Sequence, residues 1–158
     1  VMVTDRNPAA VAPLVAAGAH STELDTLLQR ADIVVCTTGK VGLIKPEQVR
    51  RGQVIFALSN PYPEIDPDVA RDAGAAYAAD GAAINNALAF PGIFRGALAV
   101  RAGRIDSQMY IAAAEAIAAS AGSDEVVPSP LSTTVHDAVT DAVSNCATAL
   151  GLANTAEL

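Results

Sequence analysis

The chain has 158 residues, half of them hydrophobic, with only 4% aromatic residues and a net charge of −7. This length suits a single domain able to bury roughly 70% of the surface that its unfolded chain exposes, with a core built from Ala, Val, Leu and Ile. The acidity argues against a nucleic-acid partner, which needs a basic stripe, and no apolar run reaches the 18 or so residues of a membrane span.

Val1 to Thr4 reads as a short buried strand ending at Asp5-Arg6-Asn7, and a chain that opens directly in such a run is expected to be truncated. Pro8 then starts a helix that continues to Ala17 and closes on Gly18, with proline just inside the start and glycine just past the end. Ser21 is placed to cap a second helix from Thr22 to Gln29. Ile33 to Thr37 is a continuous apolar, β-branched run, the pattern of a strand buried on both faces.

The pattern then repeats. Pro46 to Arg51 is a helical turn stopped by Gly52, and Val54 to Leu58 is another apolar strand, ended by Asn60-Pro61-Tyr62-Pro63 because proline cannot donate to a ladder. Asp66 caps a helix from Pro67 to Ala73 ending at Gly74, and Ala75 to Ala79 is a weaker strand. From Ile93 onward the chain reads as helical, over 93–101, 107–121 and 132–150, with the linker-like stretch 123–130 held extended by Pro128 and Pro130.

Strands alternating with short helices imply β-α-β units and a parallel sheet. The expected fold is α/β: a Rossmann-type parallel sheet lacking its first strand and Gly-rich turn, followed by a helical C-terminal region. Residues 1–122 are expected to form the partial nucleotide-binding domain, and 123–158 a linker and C-terminal helix that pack back on a preceding catalytic domain. Cys36 and Cys146 fit neither a metal spacing nor a disulfide framework and read as thiols in a reducing, cytoplasmic compartment.

In such a sheet ligands bind beyond the carboxyl ends of the strands. Asp5 stands at one such end, where it either binds an adenosine ribose and favours NAD over NADP, or caps the helix that follows. Arg6 beside it could pair with a 2′-phosphate. The Gly-x-Gly-x-x-Gly turn is absent and would belong about 20 residues before Asp5. Thr37-Thr38-Gly39-Lys40 ends another strand, and small residues with glycine there let a cofactor approach the backbone, while Lys40 reads as a solvated charge rather than a phosphate ligand.

Asn60 offers a donor and an acceptor to a carboxamide, hydroxyl or carboxylate, or else starts a turn before proline. Asn85-Asn86 is a second amide pair before a helix, with capping as its alternative role. His20 and His136 read as surface residues, and Glu64, Asp66, Asp68 and Asp72 as helix-start charges favourable with the macrodipole.

Two segments carry a resemblance. Ile55-Phe56-Ala57-Leu58-Ser59-Asn60-Pro61-Tyr62-Pro63-Glu64-Ile65 closely resembles the segment that malic enzymes carry after a central strand of their cofactor domain. The run from Asn85 to Leu98, Asn-Asn-Ala-Leu-Ala-Phe-Pro-Gly-Ile-Phe-Arg-Gly-Ala-Leu, is similar to that family's bacterial signature, and Val127-Pro128-Ser129-Pro130 before a long helix is similar too.

The resemblance implies oxidative decarboxylation of malate to pyruvate and CO2, with NAD or NADP taking the hydride and Mg or Mn assisting. It implies that Asp5, Thr37, Gly39, Asn60 and Asn86 bind the cofactor and that Asn60 and Asn85 contact malate. The family's Tyr–Lys acid–base pair and its metal ligands lie earlier in the polypeptide. This chain alone is therefore expected to show no turnover, and the complete enzyme is expected to be a homo-oligomer. The stretch from Asn60 to Asn85 is about six residues shorter than the resemblance suggests, around Asp80-Gly81-Ala82-Ala83. Alternatives are a methylenetetrahydrofolate dehydrogenase, which Ala31 to Ile44 also resembles, and a non-catalytic nucleotide-binding or subunit-interaction module.

Overall fold

Proline and glycine punctuate this chain, and several elements begin or end where they stand. In the computed structural model, which describes residues 1–84, 86–122 and 127–154, the first helix α1 (Pro8–Ala16) starts on a proline, and Asn7 caps it by accepting from Ala9 N at 3.0 Å. Gly18 (φ +96°) follows it in a conformation that L side chains rarely adopt. Gly52 (φ +82°) leads into β4 (Val54–Ala57) in the same way, and Gly74 (φ +112°) ends α3 (Pro67–Asp72). Asp66 caps α3 through the amides of Asp68 and Val69.

The described residues fall into two units, Val1–Ile84 and Asn85–Leu158. In the first, β1 (Met2–Val3) pairs in parallel with β2 (His20–Ser21), so Ser21 is a strand residue, and α2 (Leu24–Arg30) instead has Glu23 at its cap with no side-chain bond. The short run from His20 fits the register Met2↔His20, which outcompetes a serine cap.

A second sheet is wholly parallel, in the order β3 (Ile33–Cys36), β4, β5 (Tyr77–Asp80), with Cys36 opposite Ala57 and Ala57 opposite Asp80. Its core contains Leu28, Val34, Cys36, Ile44, Ile55, Ala57, Ile65, Ala70 and Ala78. The expectation of a β3 strand buried on both faces is corrected here. Val34 and Cys36 are buried while Ile33 and Val35 are each 62% exposed, because Leu28 of α2 and Ala70 of α3 share the core with Val34 and Cys36 and cover that face only.

One polar residue belongs to this core. Gln53 is fully buried, donates to the carbonyls of Leu28 (2.9 Å) and Ala31 (2.8 Å), and accepts from Arg50 N (3.1 Å). The last carbonyls of a helix have no partner within it, so Gln53 satisfies the end of α2 and ties it to the start of β4. Gln53→Leu is expected to cost about 2 kcal/mol, since it strands the buried carbonyl of Leu28 and the amide of Arg50 without changing side-chain size much, while the Ala31 carbonyl keeps Arg50. Urea unfolding would measure this.

The second unit is helical. After a 3-10 turn at Asn86–Leu88 come α4 (Phe90–Ala99), α5 (Ser107–Ala119) and α6 (Thr133–Ala149). Val135, Val139, Val143 and Ala147 recur at the four-residue spacing of one helix face and are buried in a core with Ile93, Ala97, Met109 and Ala113. The division between units lies at residues 84/85, and within the second unit α6 packs on α4 and α5. His136 on α6 is half-buried rather than on the surface, while His20 is exposed.

Candidate functional site

Parallel pairing in register brings the carboxyl ends of β3, β4 and β5 to one edge of the sheet. That edge carries Thr37–Gly39 after β3, Ser59–Asn60 after β4 and Asp80–Gly81 at β5. Thr37, Gly39 and Asn60 are all exposed there. Gly39 has φ +67°, and a Cβ built on it would meet no atom within 4 Å, so its use is the backbone turn itself. Gly81 is glycine for a different reason. A Cβ at that position would lie 2.5 Å from the carbonyl oxygen of Leu58, so the loop ends after β4 and β5 touch through backbone. Asp80 shapes its own loop by accepting from Ala82 N (3.0 Å) and Ala83 N (2.9 Å).

The residue that organises this edge is Glu64, and reading it as a helix-start charge is corrected by its surroundings. It is fully buried. Its carboxylate accepts from Thr38 N (2.7 Å), Thr38 Oγ1 (2.8 Å), Ser59 Oγ (2.6 Å) and Ser59 N (3.3 Å), while its backbone carbonyl accepts from Ile44 N (3.1 Å). Burial pushes the carboxyl pKa up, but the bonds from Ser59 and Thr38 outweigh it and hold the pKa below the usual carboxylate value. A depressed folded-state pKa adds stability that is fully present above the unfolded value and is lost as pH falls through the folded one.

Cys36, at the end of β3, is buried. Its thiol is pushed up to about 12, first by that burial and then by the charge of Glu64, so it remains protonated and inert at neutral pH. Both Glu64 and Gln53 escaped sequence reasoning. The available signal for Glu64 was an acidic residue set between Pro63 and Ile65, with hydroxyl residues at the ends of two neighbouring strands.

Asp5 lies elsewhere in the first unit, after β1. It is exposed, accepts from Asn7 N (2.7 Å), and borders an open cleft of about 470 Å³ lined otherwise mostly by Pro8, Val11, Ala12, Val15 and Ala16. Asn7, and not Asp5, caps the helix that follows. Asn86 opens the 3-10 turn before α4, and Asn85 lies outside the described residues. Among the described residues, no three His, Cys, Asp or Glu side chains come together to hold a metal ion, and no helix is long and apolar enough to cross a membrane.

Comparison with known proteins gives this geometry a family. Residues 67–153 match the family model described as malic enzyme, NAD binding domain. The chain is 52% identical to NAD-dependent malic enzyme 1 of Bacillus subtilis, over 91% of this chain and 33% of that protein. It is 36% identical to the NADP-dependent malic enzyme of Halomonas elongata, over 80% of this chain and 36% of that protein.

Among solved structures, the malic enzyme of Pyrococcus horikoshii superposes with a TM-score of 0.75 at 41% identity, covering 84% of this chain and 34% of that one. The NAD-dependent malic enzyme of Thermotoga maritima gives 0.77 at 37% identity, covering 89% and 40%. The chain thus spans about a third of the length of the curated relatives it matches. The parallel α/β fold agrees with these structures, and the methylenetetrahydrofolate dehydrogenase alternative falls away. The chain belongs to the malic enzyme family, and residues 67–153 match that family's NAD-binding domain.

Proposed function

We propose that the protein carrying this chain oxidises malate and decarboxylates it to pyruvate and CO2, reducing NAD or NADP, and that this chain supplies the cofactor-binding portion together with amide contacts to malate. The observation that carries this reading is the strand edge itself. Exposed Thr37, Gly39 and Asn60 stand at the carboxyl ends of adjacent parallel strands, where open α/β sheets bind their ligands.

The nicotinamide cofactor, when bound, accepts the hydride from the C2 carbon of malate. The residues present suit such a ligand. An apolar cleft with Asp5 on its rim offers an adenine ring a dry surface and its ribose hydroxyls a carboxylate acceptor. The same charge disfavours a 2′-phosphate, so NAD is preferred. Asn60 orients the dicarboxylate and the nicotinamide end without adding charge, and Asn85 and Asn86 are proposed to supply the further amides, Asn85 to malate and Asn86 to the cofactor. Thr37 and Gly39 line the cofactor path.

Among the described residues no three His, Cys, Asp or Glu side chains lie together as Mg or Mn ligands. Metal ligands and the proton-transfer pair are proposed to come from the remaining two thirds that relatives possess. A cytoplasmic homo-oligomer is the assembly we propose for the complete enzyme.

The test is direct. The full-length protein, given malate, NAD and Mn, should form NADH and release CO2 in equal amounts. Absence of malate-dependent NADH would defeat the reading, and NADH without CO2 would reduce it to a simple dehydrogenase.

A further inference from the structure

Three successive backbone amides after β3 all lead to one carboxylate. Thr38 N donates to Glu64 Oε1 directly, at 2.7 Å. Gly39 N donates to Ser59 Oγ at 2.8 Å, and that hydroxyl donates on to Oε1 at 2.6 Å. Lys40 N donates to Thr38 Oγ1 at 3.2 Å, and that hydroxyl also donates to Oε1, at 2.8 Å. A hydroxyl has one proton to give. Giving it to Glu64 turns the oxygen's lone pairs toward the loop amides, so both rotors are fixed by the same buried group. Ser59 N, 3.3 Å from Oε2, brings in the turn that bears Asn60.

Only an ionised carboxylate meets these demands. Every neighbour named here is a donor, and a glutamine would turn its own N–H toward one of them.

We propose that Glu64 is a positioning residue: it sets the placement of the cofactor-side loop Thr37–Gly39 relative to the Asn60 turn, so that one buried side chain governs the contacts of both ligands. The inference rests on reading these strand ends as the binding edge. It also limits what the loop can recognise. A phosphate cradle needs free backbone N–H groups, and the amides of Thr38, Gly39 and Lys40 are already engaged within the protein. The loop therefore suits an uncharged part of the nucleotide, a ribose or the nicotinamide ring, and the diphosphate is met elsewhere.

The experiment uses the full-length protein, with steady-state kinetics in both substrates and thermal unfolding of each variant. Glu64→Gln is expected to raise the KM values for cofactor and malate about 10- to 100-fold each, below the unfolding temperature. Thr38→Val removes a hydroxyl that joins the β3 loop to Glu64 and makes no bond to the Asn60 turn. It should raise the cofactor KM about 3- to 10-fold and leave the malate KM within about twofold. Ser59→Ala, which loosens both strand ends, should raise both. A purely architectural Glu64 would lower the unfolding midpoint and leave both KM values unchanged, which overturns the proposal.

Should Glu64→Gln fail to fold, Thr38→Val and Ser59→Ala decide the matter, and equal or absent effects in the two would reject it. If Asn60→Ala also leaves the kinetics of the wild-type protein intact, the binding edge itself has been misread, whatever Glu64 does.

Discussion

Gly96→Ala should destabilise the protein by about 2 kcal/mol, although replacing a mid-helix glycine with alanine normally stabilises. The ordinary gain is about 0.5–1 kcal/mol from helix propensity. Here a Cβ at Gly96 would lie 2.6 Å from the carbonyl oxygen of Thr140 and 2.9 Å from Val143 Cβ. One turn earlier, a Cβ at Gly92 would lie 2.6 Å from Val139 Cβ and 3.1 Å from the carbonyl oxygen of His136. Carbonyl oxygens in the middle of α6 cannot retreat without the helix moving, and overpacking of this kind costs about 1–3 kcal/mol, occasionally more. The clash wins over the propensity.

The pair offers a sharper check. Once the first methyl has pushed α4 from α6, the second meets a gap already opened, so Gly92→Ala with Gly96→Ala should cost less than the sum of the two. Gly103→Ala is the control: nothing lies within 4 Å of its added Cβ, and its stability should stay within about 0.5 kcal/mol of the parent. Denaturant midpoints measure all four proteins. A stabilised Gly96→Ala would show that the helices do not approach this closely.

The largest effect on activity is expected at Asn60. Asn60→Ala in the full-length protein should lower kcat/KM for malate about 10- to 1000-fold, the range for losing a group that orients a reacting substrate. The residue is exposed, so stability should change by less than about 0.5 kcal/mol, which separates a lost contact from a damaged fold. Asn60→Asp sharpens the outcome. It preserves size but sets a negative charge against a dicarboxylate, and it should therefore be worse than alanine. If both variants keep near-normal kinetics, Asn60 is only a residue that starts a turn.

Much of the fold was legible because local chemistry and global structure agree. The parallel sheet could be read from apolar runs separated by proline-started and glycine-ended helices, and Gly18, Gly52 and Gly74 adopt the positive φ those positions require. Other features were decided by tertiary partners that no local pattern reports. The alternation of buried and exposed residues in β3 depends on which face the helices cover, and Ile33-Val34-Val35-Cys36 is apolar throughout whichever face that is. Ser21 looked like a cap because serine favours caps, yet pairing with Met2 and Val3 claimed it.

The site divides the same way. The positions of Asp5, Thr37, Gly39 and Asn60 just beyond strand ends could be read from the sequence, and all four are exposed there. The surroundings of Glu64 could not, since a carboxylate near a helix start has a bland explanation until its donors, 26 and 5 residues away in sequence, come into view.

The closeness of α4 and α6 bears on how relatives should be told apart. Gly92 and Gly96 sit inside the most recognisable stretch of the chain, yet what they do is let two backbones touch. A descendant that had abandoned the chemistry would still lose stability on replacing either glycine, and would still look like a family member across that stretch. On the proposed roles of Asp5 and Asn60, their loss beside intact glycines is the pattern to seek in a pseudoenzyme.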